Sequence, residues 1–208
     1  MNIELGYKGE LVSYRTLRRV VGVLGISLPL ILAVWGLALC GCLQPSISDY
    51  YSLRTRDVLV GVLFTIAWFL FAYRGYERED DIAGDLACLF ALGIALFHNS
   101  GAMAEEIIHY SCTAGFFLVL AYFSYFLFTK SAGSPTPQKL IRNAIYRTCG
   151  IGIVACIVFI GLIGLYRHFW DVTAISRLQP VFWLESLALW FFGWSWFVKG
   201  ETLFKDPS

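Results

Sequence analysis

Long apolar segments separated by short polar stretches constrain the fold of this chain more than any other feature. The aromatic run FFLVLAYFSYFLF carries no charged side chain. A helix that crosses the roughly 30 Å hydrocarbon core of a bilayer needs about 20 predominantly apolar residues. Six segments approach that length, at about residues 20–43, 58–73, 82–97, 107–129, 150–166 and 181–198. They predict an all-α polytopic membrane protein, with residues 1–208 forming one bundle of six transmembrane helices.

The composition supports the membrane class. Hydrophobic residues make up 58% of the chain and charged residues 15%, whereas a soluble domain carries about 25% charged residues. The net charge of +1 gives no reason to expect nucleic acid as a partner. We therefore expect membrane lipids as the partners, and the sequence leaves the oligomeric state open. Most of the six cysteines lie in apolar runs, where a cysteine behaves as a small hydrophobic residue.

The distribution of lysine and arginine predicts the orientation of the helices. Basic residues are enriched in the cytoplasmic loops of membrane proteins. With six spans, all but four of the 16 basic residues fall on the side that holds both termini. We therefore expect both termini in the cytoplasm. The four basic residues on the opposite, outer side are Arg54, Arg56, Arg167 and Arg177.

The histidines His98, His109 and His168 all fall on the predicted outer side. Packed helix axes lie only about 8–10 Å apart, so neighbouring outer loops can meet over the mouth of the bundle. Three imidazoles and a carboxylate suit zinc, which takes three or four nitrogen, oxygen or sulfur ligands. These histidines are therefore candidate metal ligands, with zinc as the candidate cofactor. The alternative is that His98 and His168 are residues of the membrane interface.

The stretch FHNSGAMAEEIIHYSC places two glutamates shortly before His109. If the fourth helix begins near Ala104, Glu105 lies four residues and Glu106 three residues before His109, and both pairs lie on one helix face. His109 then lies beside Glu105 or Glu106, and Glu105 is the candidate ligand-binding residue. Alternatively, both glutamates only stabilise the start of the helix, where the helix dipole favours acidic side chains.

Two further carboxylates are candidate catalytic groups. Glu185 lies about one turn inside the sixth segment, where an unpaired charge costs about 2.5 kcal/mol or more. It is predicted to act as an acid, a base or a ligand, or to pair with an arginine of the outer side. Asp49 follows Ser48 in the first outer loop, which is predicted to fold over the bundle mouth. Asp57 opens the second span, where it either caps the helix or binds a ligand.

Three stretches carry a family resemblance: SISDYYSLRTRDVLVGVLFTIAWFLFAYRGYEREDDIAGDLA, IHYSCTAGFFLVLAYFSYFLF and RNAIYRTCGI. Between about Pro45 and Glu201, the chain resembles uncharacterised bacterial six-helix membrane proteins, the DRAM/Sfk-like proteins, which form a domain of unknown function. This resemblance implies a multi-pass protein of the bacterial inner (cytoplasmic) membrane.

More distantly, the chain is similar to the CREST superfamily of seven-helix amide hydrolases. Those enzymes hold zinc with three histidines and also use a serine and an aspartate. By this resemblance, Ser48 and Asp49 correspond to the serine and the aspartate, and His109 corresponds to one of the histidines.

The leading functional hypothesis is an outward-facing polar site that binds a lipid headgroup or a metal ion. The first alternative is a CREST-like metal-dependent lipid or amide hydrolase, in which the metal lowers the pKa of a bound water. The second alternative is a proton- or ion-coupled transporter. The residues that would form the binding site are Asp49, Asp57, His98, Glu105, His109 and Glu185.

Overall fold

The computed structural model describes residues 14–75, 77–98, 101–131, 133–170, 178–201 and 203–204, apart from the side chains of Tyr14, Cys40 and His168. The fold is all-α, as predicted. A 3₁₀ helix, Ser48–Ser52, follows the first α-helix, and a π-helical turn, Phe123–Leu127, extends the fourth. The six described α-helices are α1 (Tyr14–Cys40), α2 (Arg56–Ala72), α3 (Arg78–Leu96), α4 (Met103–Tyr122), α5 (Pro137–Phe169) and α6 (Pro180–Lys199).

Four of these helices are long and apolar enough to cross a membrane, over Arg15–Leu39, Met103–Leu127, Pro137–Arg167 and Pro180–Lys199. The other two predicted spans correspond to α2 and α3. Helix α2 has 17 residues, which is fewer than the about 20 that a straight crossing needs. The first turn of α3 is acidic, so its apolar part is shorter than the helix.

Helix α5 begins well before the apolar segment that predicted it, at Pro137 rather than near Gly150. The Thr136 side chain accepts a hydrogen bond of 3.0 Å from the backbone N–H of Lys139. A threonine cap followed by proline at the first helical position is a favoured start for a helix. The polar stretch that precedes the fifth apolar segment is therefore partly helical. Helices α1, α3 and α4 also begin before their predicted apolar segments.

The helices form a closed ring in chain order. Each helix packs against the next one along the chain, and α6 packs against α1. Helices α1 and α6 approach closely at two glycines. A Cβ atom on Gly22 would lie 2.7 Å from the Gly193 carbonyl oxygen, and one on Gly193 would lie 2.6 Å from the Gly22 carbonyl oxygen. Small residues allow membrane helices to pack this closely.

The ring has two ends with different side chains. The end that carries Ser48, His98, His109 and Glu185 is called the histidine end. The opposite end, which carries Arg18, Lys139, Arg142 and Lys199, is called the basic end. The first and last described helices, α1 and α6, meet at the basic end. There Arg15 of α1 forms an ion pair of 2.7 Å with Glu201, which closely follows α6.

Aromatic side chains fill the core between the two ends. The rings of Phe116 and Phe192 are 6.4 Å apart, and those of Phe192 and Trp196 are 5.9 Å apart. Phe128 lies 5.2 Å from Trp196 and 5.5 Å from Tyr146. These ring contacts form a continuous buried chain from the histidine end to the basic end.

Candidate functional site

A serine and a histidine form a hydrogen-bonded pair at the histidine end. The Nε2 atom of His109 lies 2.8 Å from Ser48 Oγ, and its Nδ1 atom lies 2.7 Å from the carbonyl oxygen of Phe97. Because a carbonyl oxygen can only accept, Nδ1 carries the proton. In the neutral imidazole, Nε2 is therefore the acceptor and the Ser48 hydroxyl is the donor. The Phe97 carbonyl thus sets the tautomer in which the histidine can receive a proton from the serine.

Three separate elements bring this pair together. His109 lies in the second turn of α4, and its side chain is 3% exposed. Phe97 directly follows α3, and Ser48 begins the 3₁₀ helix of the loop between α1 and α2. That loop is fixed to α6, because the Phe182 backbone N–H donates to the Pro45 carbonyl at 3.1 Å. The loop therefore folds over the mouth of the ring, as the sequence predicted.

Glu185 lies beside the pair and is bound by the backbone of the same loop. Its carboxylate oxygen accepts a hydrogen bond of 2.6 Å from the N–H of Ile47, the residue before Ser48. The predicted ion pair with Arg54 or Arg56 is not formed, because both arginine side chains point to the exposed surface. Arg177, the third predicted partner, lies outside the described residues.

These groups face a narrow cavity of about 40 Å³. A water molecule needs about 10–15 Å³ of such space, so the cavity has room for a few waters or one small functional group. The polar residues that line it are Ser48, Tyr51, His98, His109, Thr113 and Glu185. The remaining walls are apolar side chains of α1, α2, α3, α4 and α6, together with Ile47 of the loop.

His98 also lines this cavity, but its ring packs against Tyr51 and is not placed with His109 to hold a common metal ion. Its ring stacks on Tyr51 with a centroid distance of 4.4 Å and an interplanar angle of 9°. The guanidinium of Arg56 lies over the Tyr51 ring, 4.4 Å from its centroid. Tyr51 itself forms part of the cavity wall.

Three predicted site residues do not line the cavity. Asp49 accepts a hydrogen bond of 2.8 Å from the Ser46 hydroxyl, and this short local contact orients its carboxylate within the loop. Asp57 is exposed in the first turn of α2, where a carboxylate stabilises the helix dipole. Glu105 lies 4.0 Å from His98 instead of facing His109. The proposed pairing of Glu105 with His109 is therefore wrong, because His109 points inward and Glu105 remains partly exposed.

The described residues do not fit the predicted zinc site. Among them, no group of three or more histidine, cysteine, aspartate or glutamate side chains is placed to hold a metal ion. Both ring nitrogens of His109 already contact protein oxygen atoms, so a metal would have to displace Ser48. His168 belongs to the last turn of α5, but its side chain lies outside the described part of the chain.

Comparison with known proteins does not assign a family to the chain. Scans against protein-family models, curated proteins and solved structures found no match. The resemblance to DRAM/Sfk-like and CREST proteins therefore stays a prediction.

Sequence reasoning missed the backbone groups that hold the site together. The Phe97 carbonyl and the Ile47 N–H carry no sequence signal, because every residue other than proline has both groups. Tyr51 was visible in the sequence, but its stacking on His98 depends on how two loops meet. The signal that pointed to Ser48 and His109 together was the resemblance to the CREST proteins, which use a serine and histidines in one site.

Proposed function

We propose that the chain is a six-span protein of the bacterial inner membrane with both termini in the cytoplasm. In this arrangement α2 and α3 also cross the bilayer. Their outward surfaces support this proposal, because Trp68 of α2 is 55% exposed and Leu89 of α3 is 62% exposed. Large apolar side chains on the outer surface of a ring are favourable against lipid and costly against water. The concentration of basic side chains at the basic end supports a cytoplasmic location for that end.

Cysteine labelling from each side of the membrane tests this topology. In a variant without the six native cysteines, a single cysteine replaces Ala102 near the histidine end or Ser134 near the basic end. A membrane-impermeant maleimide should label Ala102→Cys from the periplasmic side and Ser134→Cys only after the membrane is opened. Labelling of both positions from the same side would contradict the six-span arrangement.

At the histidine end we propose a binding site for the polar end of a lipid. The observation that carries this proposal is the Ser48–His109 pair at one end of an otherwise apolar cavity. An ester, amide or hydroxyl group of a lipid fits a site of this size, and the chain attached to it would lie against the apolar helix surfaces. The Ser48 hydroxyl and the Glu185 carboxylate would supply the polar contacts that fix the orientation of the ligand.

Lipid analysis of the purified protein tests this binding. The protein is extracted in a mild detergent, and the lipids that stay bound are quantified by mass spectrometry. Ser48→Ala and His109→Phe should each reduce one retained lipid class at least fivefold. Ser46→Ala is the matched control, since Ser46 belongs to the same loop but contacts Asp49. Equal lipid retention in all four proteins would rule out the proposed site.

The same pair supports a second candidate function, the hydrolysis or transfer of a lipid acyl group. A histidine that accepts the proton of a serine hydroxyl, and is itself oriented by a third group, is the arrangement that activates serine as a nucleophile. Here the orienting group is the Phe97 carbonyl. Ser48 Oγ would attack the acyl carbonyl carbon while His109 Nε2 takes the hydroxyl proton, and His109 would return that proton to the leaving group. No metal enters this scheme, unlike the metal-dependent hydrolase that the CREST resemblance implies.

A fluorophosphonate probe separates the acyl-transfer function from binding alone. The probe forms a covalent bond with activated serines and leaves ordinary serines unmodified. The wild type and Ser46→Ala should be labelled at Ser48, whereas Ser48→Ala and His109→Phe should lose the label. Absence of labelling in a wild type that still retains lipid would leave binding as the function of the site and remove the acyl-transfer candidate.

A further inference from the structure

The Glu185 carboxylate uses only part of its hydrogen-bonding capacity within the chain. One of its oxygen atoms accepts the hydrogen bond of 2.6 Å from the Ile47 N–H. Within the described part of the chain, Glu185 forms no other hydrogen bond and no ion pair. An ionised carboxylate accepts hydrogen bonds at both oxygens, and Glu185 lines the cavity of the histidine end. Its second oxygen is therefore available to a group that enters the cavity.

The burial of Glu185 makes a partner for its charge important. The residue is only 8% exposed, and a buried carboxylate is costly unless an opposite charge compensates it. The Ile47 N–H satisfies one lone pair but does not neutralise the charge. Hydrogen bonds to an ionised acceptor are shorter than those to a neutral one, and 2.6 Å is short for an N–H donor. The wall of the cavity thus holds a carboxylate whose counter-charge is not among the described residues.

The charged groups nearest the cavity wall do not neutralise Glu185. Arg56 is exposed, and its guanidinium lies over the Tyr51 ring. His98 stacks on the same ring. Asp49 is close enough to act on Glu185 electrostatically, and it adds a second negative charge. The described charges around the carboxylate therefore favour a positively charged ligand.

The hydroxyl groups in the cavity wall also present acceptors. The Ser48 hydroxyl donates its proton to His109 Nε2, and the Thr113 hydroxyl donates its proton to the His109 carbonyl at 2.9 Å. A hydroxyl group has a single proton, so each of these oxygen atoms then offers only lone pairs. Together with the second oxygen of Glu185, they form a set of three acceptors. Such a set selects a ligand that brings several hydrogen-bond donors.

We propose that the polar end bound at this site is a primary ammonium group, carried by the headgroup of an aminophospholipid or by a free amine. This inference rests on the binding site for the polar end of a lipid that is proposed above. A primary ammonium has one positive charge and three N–H donors, which match the Glu185 carboxylate and the oxygen atoms of Ser48 and Thr113. An ammonium group is about the size of a water molecule, so it fits the cavity of about 40 Å³ together with the methylene that carries it.

The same geometry predicts discrimination against a methylated amine. A trimethylammonium group has the same charge, but it has no N–H donor for the three acceptors. Its methyl groups also need more space than a primary ammonium does, and the cavity is narrow. Phosphatidylcholine, which differs from phosphatidylethanolamine in these methyl groups, is therefore the matched ligand that should bind poorly.

Binding measurements on the full chain in a non-ionic detergent test the proposal. Short-chain phosphatidylethanolamine, short-chain phosphatidylcholine and ethanolamine are titrated separately. We expect saturable binding of phosphatidylethanolamine, with an affinity at least tenfold higher than that of phosphatidylcholine. Competition between phosphatidylethanolamine and ethanolamine identifies the ammonium group itself as the recognised element. Binding of only one of the two identifies the lipid headgroup or the free amine as its source.

A charge-removing variant connects this binding to Glu185. Glu185→Gln keeps the size of the side chain and an acceptor for the Ile47 N–H, but removes the negative charge, so it should weaken binding of the amine ligand at least tenfold. Glu106→Gln is the matched control, because Glu106 lies at the same end, is partly exposed and does not line the cavity. This control should keep the affinity of the wild type. If Glu185→Gln fails to fold, the comparison of the two phospholipids on the wild type decides the question.

Three results would overturn the ammonium proposal: equal affinity for the two phospholipids, no binding of either amine ligand, or an unchanged affinity in Glu185→Gln. Failure of this proposal differs from failure of the lipid site. A retained lipid that depends on Ser48 and His109 but carries no amine would remove the ammonium proposal and leave the lipid site in place. Binding of ethanolamine by a wild type that retains no lipid would remove the lipid and leave the ammonium site.

Discussion

The two ends of the ring form polar sites by different physical means. At the histidine end, polar groups are paired through short hydrogen bonds around a cavity of about 40 Å³. At the basic end, positive side chains surround a cavity of about 240 Å³. The first site is selective through geometry, since each donor and acceptor already has a fixed direction. The second differs in charge, since four cationic side chains line its cavity, namely Arg18, Lys139, Arg142 and Lys199.

The aromatic core keeps the two sites apart. The ring chain that begins at Phe116, in the wall of the histidine-end cavity, reaches Tyr146 in the wall of the basic-end cavity. The space between the sites is therefore filled largely by aromatic rings, and the buried hydroxyls of Ser124 and Ser195 are hydrogen-bonded to each other at 2.8 Å.

Helix α6 connects the two ends, and a substitution at its centre should therefore affect both sites together. Gly193→Leu places a side chain against the backbone of α1, where even a Cβ atom would lie 2.6 Å from the Gly22 carbonyl oxygen. Overpacking of a core costs about 1–3 kcal/mol, and a rigid backbone neighbour puts this substitution at the upper end. We expect a large fall in the thermal unfolding midpoint in detergent and loss of lipid binding at the histidine end.

Gly161→Leu is the matched control for that substitution. Gly161 also lies in a candidate membrane helix, but a Cβ atom there would meet nothing within 4 Å. This variant should unfold at the temperature of the wild type. An unfolding midpoint of Gly193→Leu equal to that of the wild type would contradict a stabilising role of the close contact between α1 and α6.

A substitution of His109 should destabilise the histidine end alone. His109→Phe fills similar space but removes the hydrogen bonds to Ser48 and to the Phe97 carbonyl. A buried polar group that loses its partner costs about 1–3 kcal/mol, so chemical or thermal unfolding should show a loss of that size. His98→Phe is the matched variant, because a phenyl ring can keep the stacking on Tyr51. We expect a smaller loss of stability in His98→Phe than in His109→Phe.

The sequence predicted the architecture better than the site because the two depend on different information. Apolar length is a local property, so the all-α class and the approximate positions of the helices followed from composition along the chain. The idea that outer loops meet over the bundle mouth predicted a shared site for Asp49 and His109, and the resemblance to CREST proteins added Ser48. The direct contact between Ser48 and His109 depends on where each loop turns, and neither residue type nor spacing determines that.

The errors have the same origin. Glu105 and His109 are four residues apart, and helical spacing does bring such residues to one face. His109 nevertheless turns into the core while Glu105 stays near the surface beside His98. At the basic end, Arg142 lies before the apolar segment predicted at about residues 150–166. It is buried because the cap at Thr136 starts α5 early, so that Arg142 belongs to the helix.

The smallest expected effect concerns an exposed charge cluster at the basic end. Lys130 binds Glu77 and Glu79, and the pairing raises the pKa of Lys130 and lowers the pKa of Glu79 below its ordinary value of 4.5. A lowered carboxylate pKa contributes stability that is present above that ordinary value and is lost as the pH falls through the folded-state pKa. Lys130→Met should therefore lower the unfolding midpoint slightly at pH 7, and by progressively less as the pH falls below about 4.5.

A series of unfolding midpoints from pH 7 to pH 3 measures this difference between the variant and the wild type. Exposed ion pairs contribute little because water and salt screen them, so the shift should be much smaller than that of His109→Phe. Arg78→Gln removes a neighbouring exposed positive charge and should show no such pH dependence relative to the wild type. A pH-independent difference for Lys130→Met would mean that packing of the lysine stem, rather than its charge, stabilises the loop.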